Sequence, residues 1–210
     1  MVDNNNRCYH NSKGEEIPRV SDVVKMINKP ELIQWANRMG FRHIKAEEYV
    51  NERALIGTDF HALVATYMEG KDTRGIWRKE ALEMLNRFKI WAKCHNYKVL
   101  SSEITLEGEE FGGTFDALAE IDGNLILVDY KTSKKIYHTQ FIQLAGYLVL
   151  IKELMPNTYK RLKGAAIISM GCPTSYAIVN KKKMEEKYVP IFKEALKLHQ
   201  KWKLILDEVY

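Results

Sequence analysis

The sequence is poor in cysteine. Its 210 residues hold Cys8, Cys94 and Cys172, far apart and in no CxxC pair. Three such residues exclude a disulfide framework, a four-cysteine zinc site and an all-cysteine iron–sulfur cluster. They read as reduced thiols, the state kept in the cytoplasm. Long apolar runs are also missing: residues 144–151, interrupted at Gly146, fall far short of the roughly 20 residues that span a bilayer. The first seven residues lack the apolar segment of a signal peptide. The sequence therefore predicts a soluble cytoplasmic protein with no membrane partner. No glycine-rich phosphate loop, internal repeat or low-complexity linker occurs. Charge of one sign is not in great excess either: 32 Lys and Arg against 27 Asp and Glu leave +5, which permits an anionic partner without identifying one. What is present is an apolar fraction of 46%, too high for a disordered chain. The length fits a single domain able to bury a core unaided.

Periodicity divides the chain into four stretches. Residues 1–18 are polar and read as a tail or arm. Residues 19–72 carry helical spacing: Ser21 and Asp22 open a short helix, and Pro30 opens a second with a Leu32, Ile33, Trp35, Ala36, Met39 stripe stopped at Gly40. A long third helix spans residues 46–69, with Gly57 as a place of interruption. Residues 73–180 begin with a helix over 75–95, then change period. Strands are expected over 98–107, 111–121 and 124–132, a helix over 137–154, and strands over 165–170 and 176–179. A lysine-rich amphipathic helix fills 181–210. The tryptophans at 35, 77, 91 and 202 hold apolar helical positions and are expected in the core before they are expected as base-stacking platforms.

Asp122-Gly123 between two strand patterns is a strong hairpin signal, because a two-residue turn of this kind needs positive φ at both centres. With those two residues as the turn, paired positions sum to 245, which sets Asp116 opposite Asp129 with Cβ atoms about 5 Å apart. Lys131, two residues on, shares the face of Asp129. Opposed like charges destabilise a sheet. Two readings answer this: Lys131 and solvent neutralise the pair, or a hard divalent cation bridges both carboxylates. The apolar run Leu125-Ile-Leu-Val128 into Asp129 marks a strand buried on both faces, where a charged trio is costly unless used. Gly112-Gly113 leaves room beside Asp116 for close approach.

Gly113-Thr-Phe-Asp116 followed by Val128-Asp-Tyr-Lys131 resembles the GxxD and DxK motifs of the PD-(D/E)XK nuclease superfamily. Gly57-Thr-Asp-Phe-His61 and Gln143-Leu-Ala-Gly-Tyr147 resemble the GxxxH and QxxxY motifs of its RecB-type branch. All four stand in the family's order on the expected elements, across roughly residues 50–180. Phe115 stands where the superfamily's namesake proline would precede Asp116. The small size and helical N-terminal part are similar to stand-alone phage and plasmid nucleases and to the mitochondrial genome maintenance exonuclease.

The resemblance implies an α/β fold: a restriction-endonuclease-like αβββαβ core with a mixed sheet flanked by helices, plus a helical N-terminal subregion over the site. It implies a metal-dependent deoxyribonuclease, an exonuclease on DNA ends or single strands that leaves 5′-phosphates, in the cytoplasm of a bacterium or phage-infected host. The alternative is a catalytically silent nucleic-acid-binding or assembly module of the same fold. Asp116 and Asp129 would hold Mg²⁺ or Mn²⁺ with the Tyr130 carbonyl and a nitrogen of His61, and the cysteine count leaves no iron–sulfur cluster. Lys131 would hold and polarise the attacking water. Gln143 and Tyr147 would contact the DNA strand. Glu103 is expected as a supporting acidic residue behind the ligands. With no motor sequence in the chain, any helicase or recombination partner would be a separate polypeptide. Lys134-Lys135, Lys160-Arg161-Lys163 and Lys181-Lys182-Lys183 are candidates for phosphate contact.

Overall fold

A computed structural model describes residues 7–27 and 29–209, the last three by backbone only. Part of the expected polar tail, including Asn4 to Asn6, lies outside the described residues. From residue 7 the chain forms a two-stranded hairpin, β1 (Tyr9–His10) and β2 (Glu16–Ile17), reversed at Gly14 with φ +79°. Tyr9 is buried against Gly112, where a Cβ would stand 2.8 Å from the tyrosine ring. That glycine is what lets the hairpin lie on the sheet.

Four helices follow: α1 (Val20–Lys25), α2 (Glu31–Phe41), α3 (Ala46–Met68) and α4 (Lys79–Cys94). Helix α3 runs unbroken through Gly57, at which a Cβ would meet only Thr132 Oγ1, at 3.8 Å. Next come β3 (Lys98–Glu107), β4 (Gly112–Ile121), β5 (Asn124–Lys131), α5 (His138–Leu154), α6 (Pro156–Arg161), β6 (Gly164–Ser169) and β7 (Ser175–Asn180). The chain ends in α7 (Lys181–Lys183), a π-helical turn over Met184–Tyr188, and α8 (Val189–Val209). No helix among the described residues is long and apolar enough to cross a membrane.

The five longer strands make one sheet in the order β3-β4-β5-β6-β7, with β5 and β6 parallel and the other pairs antiparallel. The parallel pair requires a crossover, which α5 and α6 provide. Strand β5 divides its side chains between two cores. Leu125 and Leu127 join α1, α5 and α8; Ile126, Val128 and Tyr130 join α3 and α4. A mixed sheet covered on both faces by helices is the α/β architecture read from the sequence.

The turn is as expected, with Asp122 at φ +47° and Gly123 at φ +78°, and pairs from Ile121↔Asn124 to Ala117↔Val128 sum to 245. At Asp116 the regularity ends. Phe115 and Leu118 both face the α5 core, while Ala117 and Ala119 face the α3–α4 core. Alternation thus slips by one between residues 115 and 118, a bulge-like irregularity. Strand β3 slips with it: one register shift falls between Val99 and Ser101, and Glu103, opposite Asp116 by register, adopts φ +51°. A glutamate held in left-handed backbone costs about 1–3 kcal/mol and marks a position fixed by its surroundings.

Candidate metal and catalytic centre

This double irregularity corrects the expected face-to-face pair of carboxylates. Asp129 and Lys131 continue the Leu125–Leu127 face and look toward α5. Asp116 turns the other way, toward His61 of α3. The site is therefore assembled around the splayed ends of β4 and β5 rather than on one face. Asp116 substitutes for the missing ladder: its Oδ2 accepts the Tyr130 N–H at 2.6 Å. His61 Nδ1 lies 3.4 Å from Asp116 Oδ1, and its Nε2–H donates to the Tyr130 carbonyl at 3.1 Å. That assignment puts the proton on Nε2 of the neutral ring, leaving the Nδ1 lone pair toward Asp116. The Tyr130 ring anchors this backbone by packing against Phe60 and Phe88, and its hydroxyl pairs with that of Tyr97.

Glu103 has a larger place than the sequence suggested. His61, Glu103 and Asp116 offer ligand atoms all within 4.8 Å of one another. One imidazole and two carboxylates form a donor set suited to Mg²⁺ or Mn²⁺, the nitrogen tilting it toward Mn²⁺. Asp129 is outside that group. Lys131 Nζ donates to Asp129 Oδ1 at 2.8 Å and lies 2.7 Å from Oδ2. That second oxygen is ion-paired but accepts no hydrogen bond, although it is buried. A buried carboxylate oxygen with spare acceptor capacity fits a neighbouring cation as well.

The electrostatics are mutual. Burial lifts the Asp116 carboxyl, but His61, Lys131 and the Tyr130 N–H outweigh it and hold Asp116 below the ordinary carboxylate range. Burial also dominates at Asp129; Lys131 opposes it, the Asp116 charge adds to it, and the group is pushed up to about 6. His61 and Lys131 lose basicity to burial and regain more from the carboxylates, so both rise above their usual values. Although Asp116 and Asp129 point to different faces, they act on the same charges.

Gln143 reaches Lys131 from α5, accepting from Nζ at 3.3 Å, and donates from Nε2 to Tyr147 Oη at 3.2 Å. The two share a helix face as i and i+4. Tyr147 is only 5% exposed and sits in the space left by Gly113, where a Cβ would come within 2.7 Å of its ring. Its expected contact with a DNA strand gives way to a supporting one: it fixes the amide that fixes Lys131. Gly112-Gly113 gives room to Tyr9 and Tyr147, not to a ligand.

Lys131 and Gln143 open onto a cleft of about 730 Å³ whose lining also includes Leu32, Trp35 and Arg38 of α2 and Val50 of α3. Of the four tryptophans, Trp91 is buried, Trp77 and Trp35 are half-buried and Trp202 is 52% exposed. The core reading holds for Trp91 and fails for Trp202 and for Trp35, whose ring lines the cleft. Among the lysine clusters, only Lys135 of the Lys134-Lys135 pair reaches that cleft.

A mixed sheet with an acid–imidazole group at splayed strand ends and a lysine beside it is an arrangement able to hold a divalent cation next to a phosphodiester. The chain belongs to the PD-(D/E)XK nuclease superfamily, whose sequence model matches residues 34–209. Its substrate is accordingly a nucleic acid. Similar solved structures include a proposed exonuclease from Eubacterium rectale, 16% identical, with a TM-score of 0.45 over 72% of this chain and 66% of that one. Another is a phage-related exonuclease from Haemophilus somnus, 13% identical, with a TM-score of 0.44 over 92% and 96%. A search of curated proteins gives no match.

Proposed function

We propose that the protein hydrolyses DNA phosphodiester bonds with a divalent cation, as an exonuclease on ends or single strands. The observation supporting this reading is the cluster of His61, Glu103 and Asp116 at the splayed strand ends that also carry the Asp129–Lys131 pair, whose lysine lines a basic cleft. A binding module has no use for a strained glutamate and two buried carboxylates gathered at strand ends.

His61, Glu103 and Asp116 would hold the cation, with Asp129 and the Tyr130 carbonyl as neighbouring oxygens. The cation would lower the pKa of a water, orient the phosphate and offset charge on the attacking and leaving oxygens. Lys131 stays charged because the carboxylates of Asp129 and Asp116 stabilise its ammonium form. Its ammonium, steered by Gln143, would bind the attacking water and stabilise its hydroxide form. Asp129 orients Lys131, and Tyr147 orients Gln143. Cleavage would leave 5′-phosphates, within DNA recombination, repair or replication, and any helicase partner would be a separate chain.

Labelled linear and covalently closed DNA, single- and double-stranded, tests this. Degradation of linear molecules with Mg²⁺ or Mn²⁺, stopped by EDTA and by Asp129→Ala, is expected, while closed circles survive. Cleavage by Asp129→Ala at the parent rate overturns the assignment. Tight DNA binding without cleavage under either metal identifies the silent module instead.

A further inference from the structure

We infer that the α2 wall of the cleft is a single-strand reader: Trp35 stacks on one base of a DNA strand whose backbone passes Lys131. This names the substrate form of the proposed nuclease and rests on that reading. Trp35 is half-buried, and its ring lies 5.9 Å from that of Tyr49, tilted by 54°. Leu32 is 52% and Val50 51% exposed, and both line the cleft with Trp35, so this wall is an apolar ledge rather than a finished core contact. An exposed apolar wall rimmed by charge marks a binding surface. The charge here is one-sided: Lys29, Arg38 and Lys135 line the cleft against Glu31, beside Lys131, whose charge is shared with Asp129.

Size narrows the occupant. About 730 Å³ is the scale of a pocket for a drug-sized molecule, hence a nucleotide or two. Duplex DNA offers no unstacked base face to a side wall, whereas a single strand presents one at every residue. Aromatic stacking is tolerant of sequence, and cations track the phosphates. Trp35 and Lys131 line the same cleft, so a strand with its base on the indole would carry a neighbouring phosphate toward the ammonium.

The test is binding without cleavage, by fluorescence anisotropy in EDTA, to a ten-residue oligothymidylate and to copies with one abasic residue moved along it. The parent protein should lose about tenfold in affinity at one abasic position. Trp35→Ala should lose about tenfold on the intact oligonucleotide and nothing further at that position, and Trp35→Phe should keep most of the affinity. Arg38→Ala should instead lower the salt dependence by about one charge and leave the abasic penalty intact. A Trp35→Ala protein with the parent's abasic profile, or equal losses on duplex and single strand, overturns the inference. Because no cleavage is read, a protein that shows the abasic profile yet never cuts DNA would end the nuclease reading and leave this one standing.

Discussion

Replacing Lys131 by methionine removes the cation that sits 2.7–2.8 Å from both oxygens of a carboxylate only 3% exposed. Breaking one side of a buried pair costs about 3–5 kcal/mol, because the survivor stays charged without compensation. The Lys131 side chain is itself 24% exposed, so the lower end applies, about 3 kcal/mol, or a fall of about 6–12 °C in Tm for a chain of this size. Asp129 is already pushed up to about 6 with its partner in place, and without it the group rises further. An acid whose folded pKa exceeds its unfolded value near 3.9 is less costly protonated. The Lys131→Met deficit should therefore be small at pH 5 and grow as pH rises through 6 and beyond, by at most about 1.4 kcal/mol per unit. Adding Asp129→Asn removes the stranded charge and should recover more than half of the loss, yet both proteins should have lost at least about 100-fold in cleavage. Circular-dichroism melts in EDTA at pH 5 and pH 8, with cleavage assays on the same samples, measure both. A double variant no more stable than Lys131→Met, or a deficit independent of pH, would refute the argument.

Cation binding should release protons, since His61 sits above its ordinary value and Asp129 near 6. Mn²⁺ affinity should therefore rise from pH 6 to pH 8, read by calorimetry in buffers of different ionisation enthalpy, and Glu103→Gln should weaken it about tenfold or more. Gly57→Ala has room, with Thr132 Oγ1 at 3.8 Å, and should stabilise α3 by about 0.4–1 kcal/mol in a thermal melt. Gly113→Ala meets the Tyr147 ring at 2.7 Å and should cost about 1–3 kcal/mol. It should also slow cleavage, because Tyr147 holds Gln143 against Lys131.

The sequence made one half of the centre legible and hid the other. Asp122-Gly123 fixed the β4–β5 register because few residue pairs tolerate two consecutive positive φ values, and the i, i+4 spacing correctly put Gln143 and Tyr147 on one face. Neither could reveal the slip at Asp116, which depends on a compensating distortion in β3 and on His61 waiting across the gap. Glu103 is hidden for the same reason: nothing in Ser-Ser-Glu-Ile announces a left-handed glutamate. Trp35 is not legible as a cleft residue because a stripe of apolar residues looks alike whether it fills a core or lines a cleft.

Asp116 stands in for a rung of the sheet through its bond to the Tyr130 N–H, which bears on how an inactive control should be built. Truncating that residue to alanine would silence the chemistry and also unfasten the strand end that carries Tyr130 and Lys131, so a null result would not separate the two losses. Asparagine keeps a side-chain oxygen for the same N–H while discarding the negative charge. It is the substitution by which a trapped, uncut substrate complex can be sought without loosening the scaffold that presents it.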